Sequence, residues 1–441
     1  MSGITRRGVL IGMAGGWLAP PPARAQNPGA TRVLRLGARE VALLTSANAR
    51  PTPLALIDGA FPGAELRLRQ GEPVTMVIEN GLGEPAGLRL HGGRLPPALD
   101  GAAGFTPEPI PPGARAEVTF TPPDAGTFLL RPPPGMGALL ERGLFAPVVV
   151  DPREPAPGFD RELLLVLKDI RVDPEGRLPA YASDTDLPRL GNLLTLNGLA
   201  ARLDLEVRPN ERLRARLVNA STARIVPLRI EGRAPVVIAL DGQPSEPFDP
   251  AEGLVVLPPS GRAELALDMP SQAGADVAIT AFFEGRPIPI ARLSVRGQPI
   301  RDAALARPRP LAANPFPTRL DLARAQRVPL AVTVGERGQR PIAGRGANGL
   351  SGPPLFGARR GATVVLQIDN QSPEAQAIHV HGHATRPLDR MDDGWKPWLV
   401  DTILVPERQT LQVGFVADRP GRFPISLVTG ASGPITWFEV S

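Results

Sequence analysis

The sequence of 441 residues contains no cysteine. This absence excludes a disulfide framework and any metal site that depends on a thiolate ligand. Aromatic residues make up only 4% of the chain, so the hydrophobic 42% must build its cores largely from Val, Leu, Ile and Ala. Lysine is nearly absent too, with Lys168 and Lys396 as the only two, and arginine therefore carries almost all of the basic charge.

Turn-forming residues, in contrast, are abundant, with 54 prolines and 47 glycines. Such a high frequency of proline and glycine is typical of many short strands joined by turns, and it disfavours long helices. The length leaves room for roughly two to four ordinary domains. The composition therefore predicts an all-β chain of several domains.

The N-terminus has the features of an export signal. Arg6 and Arg7 precede an apolar run that ends at Leu18, and the small-x-small tripeptide Ala-Arg-Ala follows at 23–25. In this order they predict a twin-arginine signal peptide over residues 1–25, cleaved on export to the periplasm. The run is too short to span a bilayer, and no other stretch of the sequence qualifies as transmembrane.

The charge balance of the exported chain is close to neutral. Cleavage would remove three arginines, which leaves 46 of the 49 basic residues against 44 acidic ones, or a net charge of +2. Such a balance favours neither a nucleic-acid partner nor an anionic membrane surface. We expect a monomer with an unidentified protein partner in the periplasm.

Two motifs occur three times in the same order. Each copy of the first begins with Arg, alternates apolar residues and ends in Asn; the copies are RQGEPVTMVIEN at 69–80, RPNERLRARLVN at 208–219 and RRGATVVLQIDN at 359–370. Alternation with a period of two predicts half-buried strands. The second motif is a turn that begins at Pro111, Pro258 and Val405. The repeats predict three consecutive β-sandwich units.

The predicted units have ordinary domain sizes. We place the first at 27–152, the second at 158–298 and the third at 315–441. Proline- and arginine-rich joints at 151–161 and 297–317 separate them.

The histidines fall at corresponding places in the outer units. Counting nine and eleven residues on from the closing Asn reaches Arg89 and His91 in the first unit, and His379 and His381 in the third. In the middle unit the same count reaches two apolar residues. Because positions two apart on a strand share one face, the outer units would together build a two-sided polar site.

Taken together, these motifs resemble those of multicopper oxidases, the laccase-like family with the cupredoxin fold, over nearly all of the chain after the signal. Leu90-His91-Gly92 with Asp100-Gly101 resembles the first copper motif, and the segment 378–383, Ile-His-Val-His-Gly-His, resembles that of the third domain. Leu240-Asp241-Gly242 resembles a signature of the middle domain. The resemblance implies three consecutive cupredoxin-like Greek-key β-sandwich domains after a cleavable signal peptide.

The resemblance also implies a set of copper ligands, which this chain has largely lost. Family members hold four coppers with histidines and one cysteine. The residues at lost ligand positions here are Arg89, Arg131, Pro133, Gln376, Ser426 and Val428. The histidines that match the motif are His379 at the mononuclear copper and His91 and His381 at the paired coppers, so no copper would keep two of its protein ligands.

The lost ligands lead us to expect no bound cofactor and no oxidase activity, with copper at the remaining positions as the alternative. His379, His381 and His383 on one strand face could hold Zn²⁺ or Cu²⁺, or could be structural, hydrogen-bonded imidazoles. Guanidinium groups repel a metal ion and suit an anion, a carboxylate or water. The motif alignment predicts that Arg89 and Arg131 meet across a domain interface.

Three functions remain open from the sequence. The first is a non-enzymatic periplasmic binding or scaffold protein, similar to the SufI-type cell-division protein, which has the same fold and export signal without copper. The second is a laccase-type oxidoreductase with a reduced copper complement. The third is a periplasmic metal-binding module that uses the strand from His379 to His383.

Overall fold

The fold comes from a computed structural model, which describes residues 31–46, 48–96, 108–156, 158–180, 190–334, 341–343, 350, 352–388, 396, 398–428 and 434–441. Residues 1–25, where the signal peptide is predicted, and the Asp100-Gly101 pair lie outside these ranges. No helix among the described residues is long and apolar enough to cross a bilayer.

The first unit is a pair of four-stranded sheets. Its strands are β1 (Thr31–Val41), β2 (Thr52–Ile57), β3 (Leu66–Arg69), β4 (Val74–Asn80), β5 (Arg89–His91), β6 (Arg115–Phe120), β7 (Gly126–Arg131) and β8 (Ala146–Asp151), with a short helix α1 (Gly137–Glu141). The sheet orders are β2-β1-β4-β6 and β3-β8-β7-β5. The predicted inward residues of β4, Val74, Met76 and Ile78, are buried in the core of this unit, as the alternation indicated.

The middle unit is larger. Its strands are β9 (Arg161–Ile170), β10 (Leu193–Leu196), β11 (Leu203–Val207), β12 (Arg212–Asn219), β13 (Val226–Glu231), β14 (Val236–Leu240), β15 (Gln243–Phe248), β16 (Leu254–Leu257), β17 (Arg262–Asp268), β18 (Asp276–Phe283) and β19 (Arg286–Val295). They form the sheets β10-β9-β12-β17-β14-β15 and β11-β19-β18-β13-β16. A single-turn 3₁₀ helix, Ala251–Gly253, precedes β16.

The third unit has two five-stranded sheets. Its strands are β20 (Gln326–Val334), β21 (Pro341–Ala343), β22 (Phe356–Ala358), β23 (Thr363–Asn370), β24 (Gln376–Val380), β25 (Arg386–Leu388), β26 (Thr402–Val405), β27 (Thr410–Val416), β28 (Gly421–Leu427) and β29 (Pro434–Val440). The sheet orders are β21-β20-β23-β27-β25 and β22-β29-β28-β24-β26. A 3₁₀ turn, Leu322–Arg324, precedes β20.

The three units share one pattern of strand pairing. The first repeated motif is strand β4, β12 or β23, and in each unit it pairs in parallel with the opening strand β1, β9 or β20. On its other side it pairs antiparallel with β6, β17 or β27. Each unit also has its own buried apolar cluster. The predicted class, all-β with consecutive sandwich units, is therefore confirmed.

The closing asparagine of each repeat has a structural task. Asn80, Asn219 and Asn370 are buried, and the side-chain amide of each donates to backbone carbonyls of the loop and turn that follow. The side-chain oxygen of each accepts a backbone N–H two residues on. A short amide side chain is suited to this because it offers two donors and an acceptor at once.

The second repeat is a turn that contains one residue with a positive φ angle. Gly113 has φ 74°, Ser260 has 62° and Arg408 has 51°. The residue after each turn accepts the backbone N–H of the closing asparagine, at 2.9–3.0 Å. The left-handed conformation is easy for glycine and less favourable for serine or arginine, so the hydrogen bonds of the turn hold the latter two in place.

Candidate site between the first and third units

Strands β5 and β24 direct polar side chains out of their own cores and toward each other. Arg89 and His91 belong to β5, His379 belongs to β24 and His381 follows it. None of the four side chains is more than 3% exposed. The alternation of strand side chains explains this placement, because the residues between them face the core of their own unit. The predicted two-sided arrangement thus holds for the outer units.

The three imidazoles and one guanidinium form a tight cluster. The rings of His91 and His379 stack with centroids 4.1 Å apart, and those of His379 and His381 lie 4.4 Å apart. Arg89 bridges the two units, with Nη2 at 2.7 Å from His91 Nδ1 and Nη1 at 3.4 Å from His381 Nδ1. A guanidinium can only donate, so it uses the ring nitrogens as acceptors.

The contact with Arg89 determines the protonation state and the tautomer of His91. Its Nδ1 accepts from the guanidinium, so the ring is neutral with its proton on Nε2, which donates to Thr402 Oγ1 at 2.9 Å. Complete burial lowers the pKa of His91 well below its ordinary value, and the neighbouring His379 and Arg89 lower it further, against the opposing effect of Asp401. The imidazole is therefore neutral at physiological pH.

All three units meet at Asp401. Its carboxylate accepts from Arg262 of the middle unit and from Thr402 Oγ1 at 2.7 Å. It lies 3.4 Å from His91 Nε2 and 3.3 Å from His379 Nδ1. Its backbone N–H donates to Asp241 Oδ2 of the middle unit at 3.1 Å. One buried carboxylate thus connects the first, second and third units.

The two carboxyls beside Arg262 have opposite properties. Burial raises the pKa of Asp401, but the Arg262 charge and hydrogen bonds from His379 and His91 outweigh it, so the pKa lies well below the ordinary value. Burial and the charge of Asp401 raise the pKa of Asp241 to about 7, against the charge of Arg262. One cation thus keeps the first carboxyl ionised, while the second is about half protonated near pH 7.

Ser426 stands at a predicted lost ligand position and contacts a histidine. The hydroxyl of Ser426 lies 2.8 Å from His381 Nε2. Both ring nitrogens of His381 therefore lie beside protein groups, Arg89 on one side and Ser426 on the other. In this arrangement the substituted residues bind the remaining histidines directly.

The side chain of His383 contacts the backbone carbonyl of His381, at 3.1 Å from Nδ1, but its ring packs among phenylalanines. Strand β24 ends at Val380, and Gly382 has a φ of 69°, so the alternation of the strand does not continue to His383. Its ring packs against the rings of Phe415, Phe423 and Phe438, at centroid distances of 5.1, 4.7 and 5.4 Å. Burial lowers its pKa to about 4. The structure does not bring His383 together with His379 and His381.

Arg131 occupies a different position from the predicted one. It lies directly opposite Arg89 on the neighbouring strand of the same sheet, whereas the alignment predicted that the two meet across a domain interface. Each instead reaches a different unit, since Arg131 donates to Ser260 Oγ of the middle unit and Arg89 contacts His381. Burial and the charge of Arg89 lower the pKa of Arg131 to about 9.

Two further predicted positions lie on the third unit, away from this cluster. Gln376, which begins β24, donates through Nε2 to Ser372 Oγ at 3.0 Å. Val428 is buried and its backbone N–H donates to the carbonyl of Ala377 at 2.9 Å. An amide and an aliphatic chain stand where a copper site would need imidazoles, which is consistent with the absence of cysteine from the sequence.

The middle unit corrects one part of the sequence alignment. The residues counted there, Leu228 and Ile230, face the core of the middle unit, whereas Arg89 and His91 face out of theirs. The side-chain amide of Asn219 donates a hydrogen bond to the backbone carbonyl five residues later. The amides of Asn80 and Asn370 donate to the carbonyl four residues later. The loop is thus one residue longer, and a one-residue shift exchanges the faces of a strand.

The residues that do correspond in the middle unit are polar. With the extra loop residue counted, they are Arg229, which is partly exposed, and Glu231, which is exposed. Nothing in the sequence alignment indicated this, because the apolar residues matched the expected strand equally well. The unit still contributes to the site, but through Asp241, Ser260 and Arg262 on other strands and turns.

The described residues contain one group with the geometry of a metal site. Ligand atoms of His91, His379 and Asp401 lie within 4.8 Å of one another. However, the Asp401 carboxylate already binds Arg262, and His379 Nδ1 contacts the backbone carbonyl of Asp401 at 2.9 Å. The donor set does not fit a blue-copper site, which needs a cysteine thiolate that the sequence lacks.

Comparisons with known proteins agree with this fold. Three family models, each described as multicopper oxidase, match residues 42–155, 175–252 and 322–425. Multicopper oxidase MmcO of Mycobacterium tuberculosis is 27% identical over 92% of this chain and 82% of its own length. The cell division protein FtsP of Sodalis glossinidius is 31% identical over 51% of this chain and 48% of its own length.

Solved structures give the same result. A multi-copper oxidase from Pseudomonas thermotolerans superposes with a TM-score of 0.80 and 28% identity, covering 94% of this chain and all of that one. A second, from Pseudomonas parafulva, has a TM-score of 0.81 and 26% identity, covering 93% of this chain and all of that one.

Proposed function

This chain belongs to the multicopper oxidase family, and we propose that it is an exported, non-enzymatic binding or scaffold protein with degenerate copper sites. The observation that carries the proposal is the contact of Arg89 with His91 at 2.7 Å. A permanently charged guanidinium that donates to the nitrogen of an imidazole competes with a cation for the same lone pair.

The other substitutions support the same proposal. Ser426 lies beside His381 Nε2, and Arg131 adds a second buried positive charge directly across from Arg89. Two cations in a poorly solvated site disfavour a third by several kcal/mol, on the order of the Coulomb energy at short range. An electron-entry copper would also need a thiolate, and this chain has no cysteine.

Metal content and oxygen consumption test the proposal together. The mature protein would be purified from the periplasm after growth with added copper, and its metal content would be compared with oxygen uptake on a phenolic substrate. We expect less than about one copper per four chains and no turnover, because one imidazole does not hold copper with useful affinity. Two or more coppers per chain with turnover would establish the alternative, a laccase-type oxidoreductase with a reduced copper complement.

The relatives support a role in the cell envelope or in division as part of this proposal. The match to the cell division protein FtsP, which recurs in a second organism at 29% identity over 53% of this chain, supports a protein partner. Deletion of the gene should then lengthen cells, and the mature domains with an export signal should restore normal length. Unchanged cell length under several growth stresses would oppose a division role and leave the metal measurement unaffected.

Export through the twin-arginine pathway is part of the proposal. Replacement of Arg6 and Arg7 by lysine together should retain the full-length protein in the cytoplasm, because the arginine pair is the recognised part of the signal. Cell fractionation and immunoblotting measure this. Substitution of Arg24 to lysine, outside the pair, is the matched control and should leave the periplasmic amount unchanged.

The group His91, His379 and Asp401 supports a second candidate, a metal-binding module without oxidase activity. Titration calorimetry with Zn²⁺ would test it on the wild type and on His379→Gln. His383→Gln serves as the matched control, because His383 packs among phenylalanines away from the group. Tight binding that His379→Gln abolishes and His383→Gln retains would favour the module over the scaffold.

A further inference from the structure

We infer that Arg131 and Ser260 form a buried binding site for a small oxyanion, of the carboxylate or carbonate class, between the first and middle units. Arg131 is the last residue of β7 and is only 6% exposed. It donates to Ser260 Oγ, which belongs to the turn before β17. The two groups supply a charged fork and a hydroxyl on either side of one boundary.

Among the residues that the structure describes, no carboxylate is paired with the charge of Arg131. In the described part of the chain its hydrogen bonding is limited to Ser260, and its Nε atom, fully buried, has no acceptor. Its charged neighbours are cations: Arg89 lies opposite on the adjacent strand, and the charge of Arg131 is felt at buried Lys168. Lys168 itself has Asp169 and Glu141 close by.

Other buried arginines of this protein are arranged differently. Six of them are at least nine-tenths buried and each hydrogen-bonds a carboxylate. These pairs are Arg94 with Asp124, Arg212 with Asp268, Arg214 with Glu264, Arg216 with Glu264, Arg224 with Asp169, and Arg262 with Asp401. Of the eight buried arginines in the described part of the chain, these six have a carboxylate partner, Arg89 contacts the imidazoles of His91 and His381, and Arg131 donates to a hydroxyl.

Physical chemistry identifies the class of ligand that would restore the pattern. A guanidinium taken out of water without a partner is strongly unfavourable, and an anion that accepts its N–H groups relieves this. The planar fork of arginine matches the two oxygens of a carboxylate or carbonate, and the serine hydroxyl can donate to a third lone pair. Deep burial between two units limits the ligand to a few atoms.

Thermal unfolding of the mature protein tests the inference with acetate, formate and bicarbonate as probes. At about 100 mM and at constant ionic strength, each is compared with chloride. We expect the oxyanions to raise the unfolding midpoint by about 3 °C over chloride, because a ligand that binds only the folded state stabilises it. Arg131→Met should abolish the rise. Arg307→Met, at an exposed arginine, is the matched control and should retain it.

Two results would overturn the inference. They are an equal unfolding midpoint in all four salts and an oxyanion effect that persists in Arg131→Met. If Arg131→Met does not fold, calorimetric titration of the wild type with formate replaces it, and absence of saturable binding below about 0.1 M has the same consequence. The test contains neither copper nor a protein partner, so its outcome is independent of the proposed function.

Discussion

Arg262 and Arg131 are two buried arginines that share one neighbour and have opposite surroundings. Both donate to Ser260, Arg131 to its hydroxyl and Arg262 to its carbonyl. Arg262 also binds Asp401 and lies 3.5 Å from Asp241, whereas Arg131 faces Arg89. The first guanidinium fastens three units together, and the second is a charge that the fold itself leaves unbalanced. Burial alone therefore does not tell whether a charged residue stabilises the structure.

The largest effect should come from Arg262→Met. Removal of this cation leaves Asp401 and Asp241 buried without their counter-charge, which we expect to lower the free energy of unfolding by about 3–5 kcal/mol. Urea unfolding measured by far-UV circular dichroism gives this value. The exposed pair of Arg307 and Asp249 provides the control, since Arg307→Met should change stability by only about 0–1 kcal/mol. Equal losses in both variants would show that Arg262 does not connect the units.

The next largest effect is a pH dependence of the free energy of unfolding that comes from Asp241, beside Arg262. The pKa of Asp241 is raised to about 7 in the folded state, so the folded protein binds more protons than the unfolded chain between about pH 4 and 7. The contribution of Asp241 to the stability of the folded state is complete below about pH 4 and is lost as the pH rises through 7. Asp241→Asn should remove this part of the slope, about 1–3 kcal/mol.

The measurement for Asp241 is the free energy of unfolding of both proteins at intervals from pH 4 to pH 8. Wild-type stability should decline relative to Asp241→Asn as the pH increases. Parallel curves would mean that Asp241 is ionised throughout and that Arg262 balances two negative charges.

A smaller effect on the free energy of unfolding is expected for Ser260, the residue that both arginines contact. Ser260→Ala removes the hydroxyl that accepts from Arg131 and should lower the free energy of unfolding by about 1–2 kcal/mol. In the Arg131→Met variant, Ser260→Ala should change the free energy of unfolding by less than about 0.5 kcal/mol, because the guanidinium that donates to the hydroxyl is already absent. A double-mutant cycle supplies both values, and additive effects would show that the two side chains do not interact.

The smallest effect, and the one of opposite sign, concerns Arg131→Met in chloride buffer. This replacement removes an unbalanced buried charge and keeps much of the apolar stem, so stability should be unchanged or higher by about 1 kcal/mol. Thermal unfolding at low salt measures it. A loss comparable to that of Arg262→Met would remove the contrast between the two arginines.

The local features of the fold could be predicted from sequence. Each closing asparagine and each repeated turn has the same hydrogen-bonding role, so periodicity and turn chemistry were sufficient to find them. The positions of His91, His379 and His381 at one site also followed from strand alternation. In contrast, the sequence alignment placed the middle unit one residue out of register. Leu228 and Ile230 fit an apolar strand in either register, and only the length of the loop after Asn219 decides between the two.

By itself the sequence determined the three-unit β architecture, the family and the lack of a thiolate ligand, because these depend on local pattern and composition. Only the tertiary structure decided the partners of the buried charges. Arg262 and Asp401 are 139 residues apart in the chain, and Arg131 and Ser260 are 129 apart. Electrostatic energy depends on distance in space and on burial, and neither quantity can be obtained from spacing along the chain.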